Sequence, residues 1–369
     1  MTSVVIVPFR DEDPGVLERT LGIAMRHPAV GRVVAVGYDR EGVEEAPAVP
    51  GVEFIEQRHI GRHRPGKGDG MLTGLQAALA DPSSERIHFY DADIRTFTPA
   101  WIERAESALD EGFDVARHFF DRAATDAQIT WHITRMGLTI LWPDSVLPQI
   151  EQPLGGELAL TRSAAEALHG LPYVTERSDW GIDTALTVGM AASGLSIAEV
   201  FVPEGKLHGL YGGLDDLRTM ATECFATLQS LRSVDVPPAE PGRHRVDDPG
   251  PPPSSVTSKA AFDVEATLPL LTDGWTEEER RLAAGLPGDL AEGFSTMQDR
   301  PVWSFLDDAA WVGFLRWCLD RYDHDDPAWR SLFFRGWVAR TLRHTTTAAL
   351  RGYDEAIRSL RAALGTARP

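Results

Sequence analysis

The chain has 369 residues, 43% of them hydrophobic, enough to bury one large core or two modest ones. Its formal net charge of −19 disfavours nucleic-acid backbones and anionic membranes as partners, so any anionic substrate must meet a local cation cluster or a metal. The two cysteines, Cys224 and Cys318, lie in apolar helix-like stretches and imply neither a disulfide framework nor a cysteine zinc site.

The chain opens straight into the β-rich run Val4–Pro8, with no basic flank or cleavage signal, and no apolar run nears the ~18–20 residues of a membrane span. A soluble, cytoplasmic protein is expected. Pro14–His27 reads as a helix, Val33–Val36 and Val52–Ile55 as strands, Met71–Ala80 as a helix, and Arg86–Asp93 as a fourth strand. Pro99–Glu111 follows as a helix with Pro and Trp in its first turn. This alternation predicts a mostly parallel, Rossmann-like sheet with ligand loops at its strand ends. Beyond Asp114 the pattern is irregular: Val115–Phe120, Ala127–Trp142 and Glu157–Leu160 read equally as strands or short helices. Leu214–Leu231 has the spacing of an amphipathic helix. Pro237–Ser258 is rich in Pro, Gly, Ser and charge and reads as a linker or long surface loop. Phe262–Leu364 is helical in character, with Trp303, Phe305, Trp311, Phe314, Trp317, Trp329, Phe333, Phe334 and Trp337 as a core. The expected organisation is a catalytic α/β region over 1–235, a Pro-rich linker or loop over 236–260, and a helical region over 261–369. That last region either buttresses the first or makes a homo-oligomer.

The chemistry-bearing residues gather after the strands. Ile87–Ile94 is an apolar strand ending in Asp91-Ala92-Asp93, the Asp-x-Asp arrangement of nucleotide-sugar transferases. Two acids one residue apart at a strand's carboxyl end reach one crevice, and hard cations such as Mg²⁺ or Mn²⁺ prefer carboxylate oxygens. The tripeptide alone is weak, since acids at strand ends are common. Arg64-Pro65-Gly66-Lys67-Gly68-Asp69-Gly70 sets a lysine among glycines that let backbone approach a ligand, and its spacing is not that of a Walker loop. Pro8-Phe9-Arg10-Asp11-Glu12 occupies the first strand–helix turn, where base and ribose usually lie. Ser178–Asp183 joins two acids to Trp180, a residue equally at home in a core. Glu204–Gly213 carries His208 and Tyr211 in a glycine-rich stretch, and the histidine could complete a metal site begun by Asp93.

Together these stretches resemble the mannosylglycerate synthase family of retaining, GDP-mannose-dependent glycosyltransferases. The likeness runs from Val4 to about Leu231, resumes near Phe262–Leu268 and ends near Ala349–Tyr353. Its most specific parts are Arg64–Gly70, Ile87–Ile94, Ile150–Leu158, Ser178–Thr184 and Tyr211–Met220. The resemblance implies an α/β GT-A fold, a divalent metal, GDP-mannose as donor and D-glycerate as acceptor, with D-lactate or glycolate as poorer acceptors. The product would be 2-O-α-mannosylglycerate, a compatible solute. By the same likeness Asp93 and His208 hold the metal. Pro8, Phe9, Arg10, Asp11, Glu12, Val36, Gln57, Lys67, Asp91, Ala92 and Tyr211 surround the donor. Leu154 and Asp183 lie beside the mannose, where reaction occurs. Arg122, Ala127, Gln128, Ile129 and Thr130 match the acceptor-carboxylate site. Two departures stand out: the family pattern has lysine at Arg10, which keeps the charge, and arginine at Gly209, which loses a cation just after the metal histidine.

Retention of configuration requires a double displacement or a front-face reaction. Asp183 is the one carboxylate that can be named as a nucleophile, and front-face attack is favoured. The leaving diphosphate then takes the acceptor proton, Asp183 orients mannose hydroxyls, and the metal stabilises charge on the leaving group. Three rival readings differ in residues. A sugar nucleotidyltransferase carries its Gly-rich basic loop on the first strand. A glucosyl-3-phosphoglycerate synthase-like enzyme needs extra cations for a phosphorylated acceptor. A non-catalytic nucleotide-sugar-binding protein would not need Asp93, His208 and Asp183 intact.

Overall fold

Residues 2–207, 213–252, 256 and 261–368 are described by the computed structural model. Strand β1 (Ser3–Phe9) is followed by α1 (Pro14–Arg26), β2 (Val30–Gly37), α2 (Arg40–Glu45), β3 (Val52–Glu56) and α3 (Lys67–Leu79). Then come β4 (Arg86–Phe89), α4 (Pro99–Asp110) and β5 (Val115–Phe119). Val4, Val5, Ile6 and Val7 of β1 are buried on both faces, as in strands covered by helices on either side. α1 begins where Asp13 accepts from the Gly15 and Val16 amides and Pro14 presets the first helical φ.

The described strands form an eight-stranded sheet in the order β3-β2-β1-β4-β6-β5-β7-β8, where β6 is Leu158–Thr161, β7 Ile197–Phe201 and β8 His244–Val246. Every pairing is parallel except those of β6, which runs antiparallel to β4 and β5. The mostly parallel sheet is as expected, and the ambiguous runs resolve by partner. Val115–Phe119 and Leu158–Thr161 find ladder partners, whereas Thr130–Arg135 winds into a π-helix continued by α5 (Met136–Leu141). Helices α6 (Arg162–His169), α7 (Pro172–Thr175), α8 (Ile182–Ala192) and α9 (Arg218–Leu231) complete the middle of the chain. The proline-rich stretch is not wholly a loop, because His244–Val246 adds to the sheet edge beside β7. A three-residue edge strand tolerates nearby prolines, having only one partner.

The chain folds into two compact units that interleave in sequence. One comprises Met1–Phe120, Asp144–Gly209 and Val234–Pro251, and the other Asp121–Pro143, Leu210–Ser233 and Pro252–Pro369. The divisions expected at 235 and 260 follow the chain, whereas these units interleave in it. In the first unit, sheet order reverses between β1 and β4: the chain runs outward through β2 and β3, then returns to the other side of β1. The crevice beyond the carboxyl ends of two such strands is where open α/β sheets bind ligands.

In the second unit Trp311, Phe314, Phe333, Phe334 and Trp337 are buried. Phe225 stacks on Phe333 with ring centroids 4.1 Å apart. Two indoles also find acceptors, Trp311 Nε1 donating to the His132 carbonyl at 2.8 Å and Trp337 Nε1 to the Gln128 carbonyl at 3.3 Å. The aromatic core thereby fixes the backbone at Gln128 and His132.

Candidate functional site

The loop after β1 and the end of β4 meet at a cavity of about 340 Å³, lined by Arg10, Asp11, Glu12, Asp13, Val16, Asp93 and Arg95. Arg10 pairs with Asp11 and lies over the Tyr38 ring, 4.3 Å from its centroid. Its amide donates to Glu12. Burial raises Glu12 above the usual carboxyl range, and the charges of Asp93 and Asp91 push the same way against its two backbone hydrogen bonds. Phe9 and Val36 are core side chains, Phe9 packing edge-on against Phe54 at 6.2 Å. Pro8 and Gln57 border Gly70 at the start of α3. Ala92 is buried between the two acids.

Behind this cavity runs a chain of alternating charges. Lys67 Nζ is 3.1 Å from Asp183 Oδ2 and 3.2 Å from Asp91 Oδ1. Lys206 Nζ is 2.5 Å from Asp91 Oδ2, 2.6 Å from Glu157 Oε1 and 3.8 Å from Asp93 Oδ1. Burial opposes the charge on Asp91, but Lys206 and Lys67 hold its carboxyl well below the ordinary range. Burial likewise opposes charge on Lys67, yet Asp183 and Asp91 keep its ammonium well above the usual lysine range. Glu157 is pushed up to about 7, burial outweighing the pull of Lys206 and Asp91 adding to the rise. Beneath them Arg117 is wholly buried and donates to the Gln152 carbonyl at 2.6 Å and to Thr187 Oγ1 at 2.8 Å. Arg117 thus anchors the segment leading to the half-buried Leu154.

The glycine-rich loop supplies Lys67 because its backbone packs tightly. A Cβ on Gly68 would lie 2.2 Å from the Arg177 carbonyl oxygen, so only glycine lets α3 begin against the segment that carries Ser178. Buried Asp69 accepts from the Ile60 and Gly61 amides and pairs with His59 Nδ1 at 2.6 Å, fixing the approach to the loop. Gly156 has a comparable role: a Cβ there would lie 2.5 Å from Lys67 Nζ and 2.6 Å from Asp91 Oδ1.

The two acids of Asp-x-Asp have different surroundings. Both Asp91 oxygens are engaged by ammonium groups, whereas Asp93 is 37% exposed and lines the cavity. That donor set suits a hard cation approached through Asp93 rather than Asp91. His208 and Tyr211 lie outside the described residues. The segment leading to them is strapped to the β4 end, with the Arg95 amide donating to the Leu207 carbonyl at 2.8 Å and Thr96 Oγ1 to the Gly205 carbonyl at 2.5 Å. Asp183 Oδ1 is buried with no hydrogen-bond partner among the described residues, although Oδ2 is bound to Lys67. It is an acceptor in want of a donor.

The residues expected at the acceptor belong to the other compact unit. Arg122 Nη1 is 3.7 Å from Asp126 Oδ2. Ala127 has φ +55°, a left-handed conformation rare for alanine, and Asp126 accepts from its amide at 2.7 Å. Gln128 donates to the Asp126 carbonyl at 2.8 Å, Ile129 is buried, and Thr130 opens the π-helix. π-Helical turns recur at functional sites. The family resemblance sets Lys67, Asp91, Asp93 and Asp183 around one donor and gives no role to Glu157, Lys206 or Arg117. Their signals were slight: single charges at the head of β6, after Gly205, and inside the apolar β5.

A family model for the mannosylglycerate synthase GT domain matches residues 3–230, and one for the mannosylglycerate synthase C-terminal domain matches residues 256–364. Mannosylglycerate synthase of Rhodothermus marinus is 45% identical over 373 aligned positions, covering 98% of this chain and 94% of the relative. That of Selaginella moellendorffii is also 45% identical, covering 97% and 88%. Among solved structures, glucosyl-3-phosphoglycerate synthase from Mycobacterium tuberculosis, in complex with Mn²⁺, UDP-glucose and phosphoglyceric acid, superimposes with a TM-score of 0.52 at 22% identity. It covers 64% of this chain and 80% of that one. The fold is therefore GT-A, the protein is a glycosyltransferase, and the chain belongs to the mannosylglycerate synthase family.

Proposed function

We propose that this enzyme transfers mannose from GDP-mannose to D-glycerate with retention, forming 2-O-α-mannosylglycerate, in a reaction that depends on a divalent metal. The observation that carries the reading is the ionic chain Asp183–Lys67–Asp91 beside Asp93, with Asp183 Oδ1 left as an open acceptor. The donor's nucleoside would rest against Pro8–Glu12, Val36, Gln57 and Ala92, and its diphosphate near Lys67 and Tyr211. Asp93 and His208 would hold Mg²⁺ or Mn²⁺, which supplies positive charge to the departing diphosphate. Asp183 would accept from a mannose hydroxyl through Oδ1. Its other oxygen is bound to an ammonium, which lowers its nucleophilicity and favours front-face attack over a covalent intermediate. Leu154, on the segment fixed by Arg117, would border the sugar. Arg122, with Ala127, Gln128, Ile129 and Thr130, would receive the acceptor carboxylate. Arg122 is the one cation among residues 121–130, alongside Asp121 and Asp126, and this balance suits an unphosphorylated hydroxy acid better than a phosphoglycerate.

The test is GDP release from GDP-mannose with and without D-glycerate, across panels of nucleotide sugars and small hydroxy acids, with the product's anomeric configuration read by NMR. Transfer should stop with chelator and return with Mg²⁺ or Mn²⁺. Full turnover in chelator, or an inverted product, would refute the mechanism.

A further inference from the structure

Lys206 Nζ stands among three carboxylates contributed by two strand ends, and its side chain is only 7% exposed. It is bound to Asp91 and Glu157, and it is 3.8 Å from an oxygen of Asp93. It therefore already occupies the acid cluster as a resident cation. An ammonium so buried next to a carboxylate is poorly screened by water, so its charge is felt strongly by anything Asp93 binds. It also lies two residues before His208, in the segment strapped to the β4 end through Arg95 and Thr96.

We propose that Lys206 makes metal binding conditional on a nucleoside diphosphate, an inference that rests on the reading of Asp93 as a metal ligand. With no nucleotide present, a dication approaching Asp93 meets a neighbouring ammonium, while Asp91 and Glu157 are engaged by that ammonium rather than available to the ion. A diphosphate brings negative charge that both cations can share, and the repulsion between them is offset. Metal and diphosphate therefore enter together, and the site does not load with metal alone. By linkage, the metal raises nucleotide affinity by the same factor that the nucleotide raises metal affinity. Lys206 acts here as a positioning and charge-setting residue, without touching the reacting atoms. Lys67 differs from it in location: its ammonium pairs with Asp91 and Asp183, so its removal bears on the sugar and diphosphate side.

The test is direct titration of the full-length protein with Mn²⁺, followed by electron paramagnetic resonance of the free ion, with and without saturating GDP and, in parallel, UDP. For the unaltered protein, Mn²⁺ affinity should be at least tenfold higher with the nucleoside diphosphate. In Lys206→Met, affinity for Mn²⁺ alone should rise about tenfold or more and the nucleotide enhancement should shrink towards unity, while Lys206→Arg should keep both near their original values. Equal Mn²⁺ affinity with and without nucleotide in the unaltered protein, or an unchanged enhancement in a folded Lys206→Met, overturns the proposal. Should Lys206→Met fail to fold by circular dichroism, Glu157→Gln decides. Titrated at pH 8, above the value of about 7 to which burial pushes Glu157, it leaves Lys206 with one counter-ion fewer and must widen the gap between the two affinities; a narrower or unchanged gap refutes the idea. Absence of Mn²⁺ binding under every condition would instead remove the metal from the proposed function, so the two failures are distinguishable.

Discussion

Replacing Lys67 by methionine removes the ammonium while keeping most of the side-chain volume, and so tests whether the charge chain holds the site together. Its Nζ contacts Asp183 at 3.1 Å and Asp91 at 3.2 Å, with 12% of the lysine side chain and 5% of that of Asp183 exposed. Removing one partner of a buried ion pair typically costs ~3–5 kcal/mol, because the other charge is left uncompensated. Asp91 keeps Lys206 at 2.5 Å, so the exposed debt falls mainly on Asp183 and the lower end, about 3 kcal/mol, applies. Urea unfolding should read that loss as a lower midpoint with an unchanged slope. Donor binding should weaken by roughly 1.5–3 kcal/mol for a lost charged hydrogen bond, about 10- to 150-fold in KM for the nucleotide sugar. Adding Asp183→Asn to Lys67→Met should restore much of the stability without restoring activity, since an amide needs no counter-ion. Unchanged stability in Lys67→Met would refute the ion-pair argument, and a rise confined to the acceptor KM would mean that the loop has been assigned to the wrong substrate.

Gly156→Ala should cut turnover by tenfold or more while the protein stays folded, because the new methyl lies 2.5 Å from Lys67 Nζ and must displace it; kinetics near those of the unaltered enzyme would show that the lysine is free to move. Arg122→Ala should raise the glycerate KM by about tenfold and leave donor binding unchanged, as loss of a carboxylate-binding fork predicts. The Arg122–Asp126 contact at 3.7 Å is the competing explanation, and an unchanged glycerate KM in a folded variant would leave only that pair, worth ~0–1 kcal/mol. Glu106 concerns stability: burial raises its pKa, yet hydrogen bonds from His88, Ser3 and Arg86 bring it down to about 2 from the ordinary 4.5. A carboxyl depressed on folding contributes stability above the unfolded value and loses it as pH falls through the folded one, here between about 4.5 and 2. Glu106→Gln should therefore lose roughly 3 kcal/mol at pH 7 and progressively less towards pH 2, which urea titrations at several pH values would measure.

Much of the first unit was legible because its signals are local. The valine run of β1, the Asp13-Pro14 cap of α1 and the glycines around Lys67 each specify backbone within a few residues. Asp91, Asp93 and Lys67 stand out in the sequence for the same reason, each being marked by its neighbours. What could not be read was pairing at a distance. β6 joins the sheet antiparallel between β4 and β5 because two ladders are open to it there, a circumstance absent from its own four residues. The interleaving of the two units is likewise a matter of long-range packing: the indoles of Trp311 and Trp337 reach back to the carbonyls of His132 and Gln128, about two hundred residues earlier in the chain.

Glu157, Lys206 and Arg117 carry no such local mark, whereas Lys67 does. In a chain with a net charge of −19, an isolated acid or lysine is unremarkable in sequence, and its meaning depends on the charge it meets. Glu157 at the head of β6 meets Lys206 from the segment after β7, and both meet Asp91 from the end of β4, only because the sheet order brings those ends together. The consequence is chemical. Among the described residues, Asp91, Asp93, Glu157 and Asp183 meet the ammonium groups of Lys67 and Lys206 and the buried guanidinium of Arg117, and Glu157 is pushed up to about 7, so each cation of the cluster is already engaged by carboxylates. Such a cluster has little cationic charge to spare for a sugar diphosphate unless a further cation joins it. Among the described ammonium contacts of the four, that of Asp93 is the longest, and Asp93 is the one of them that lines the cavity, which is what supports its proposed role towards that cation.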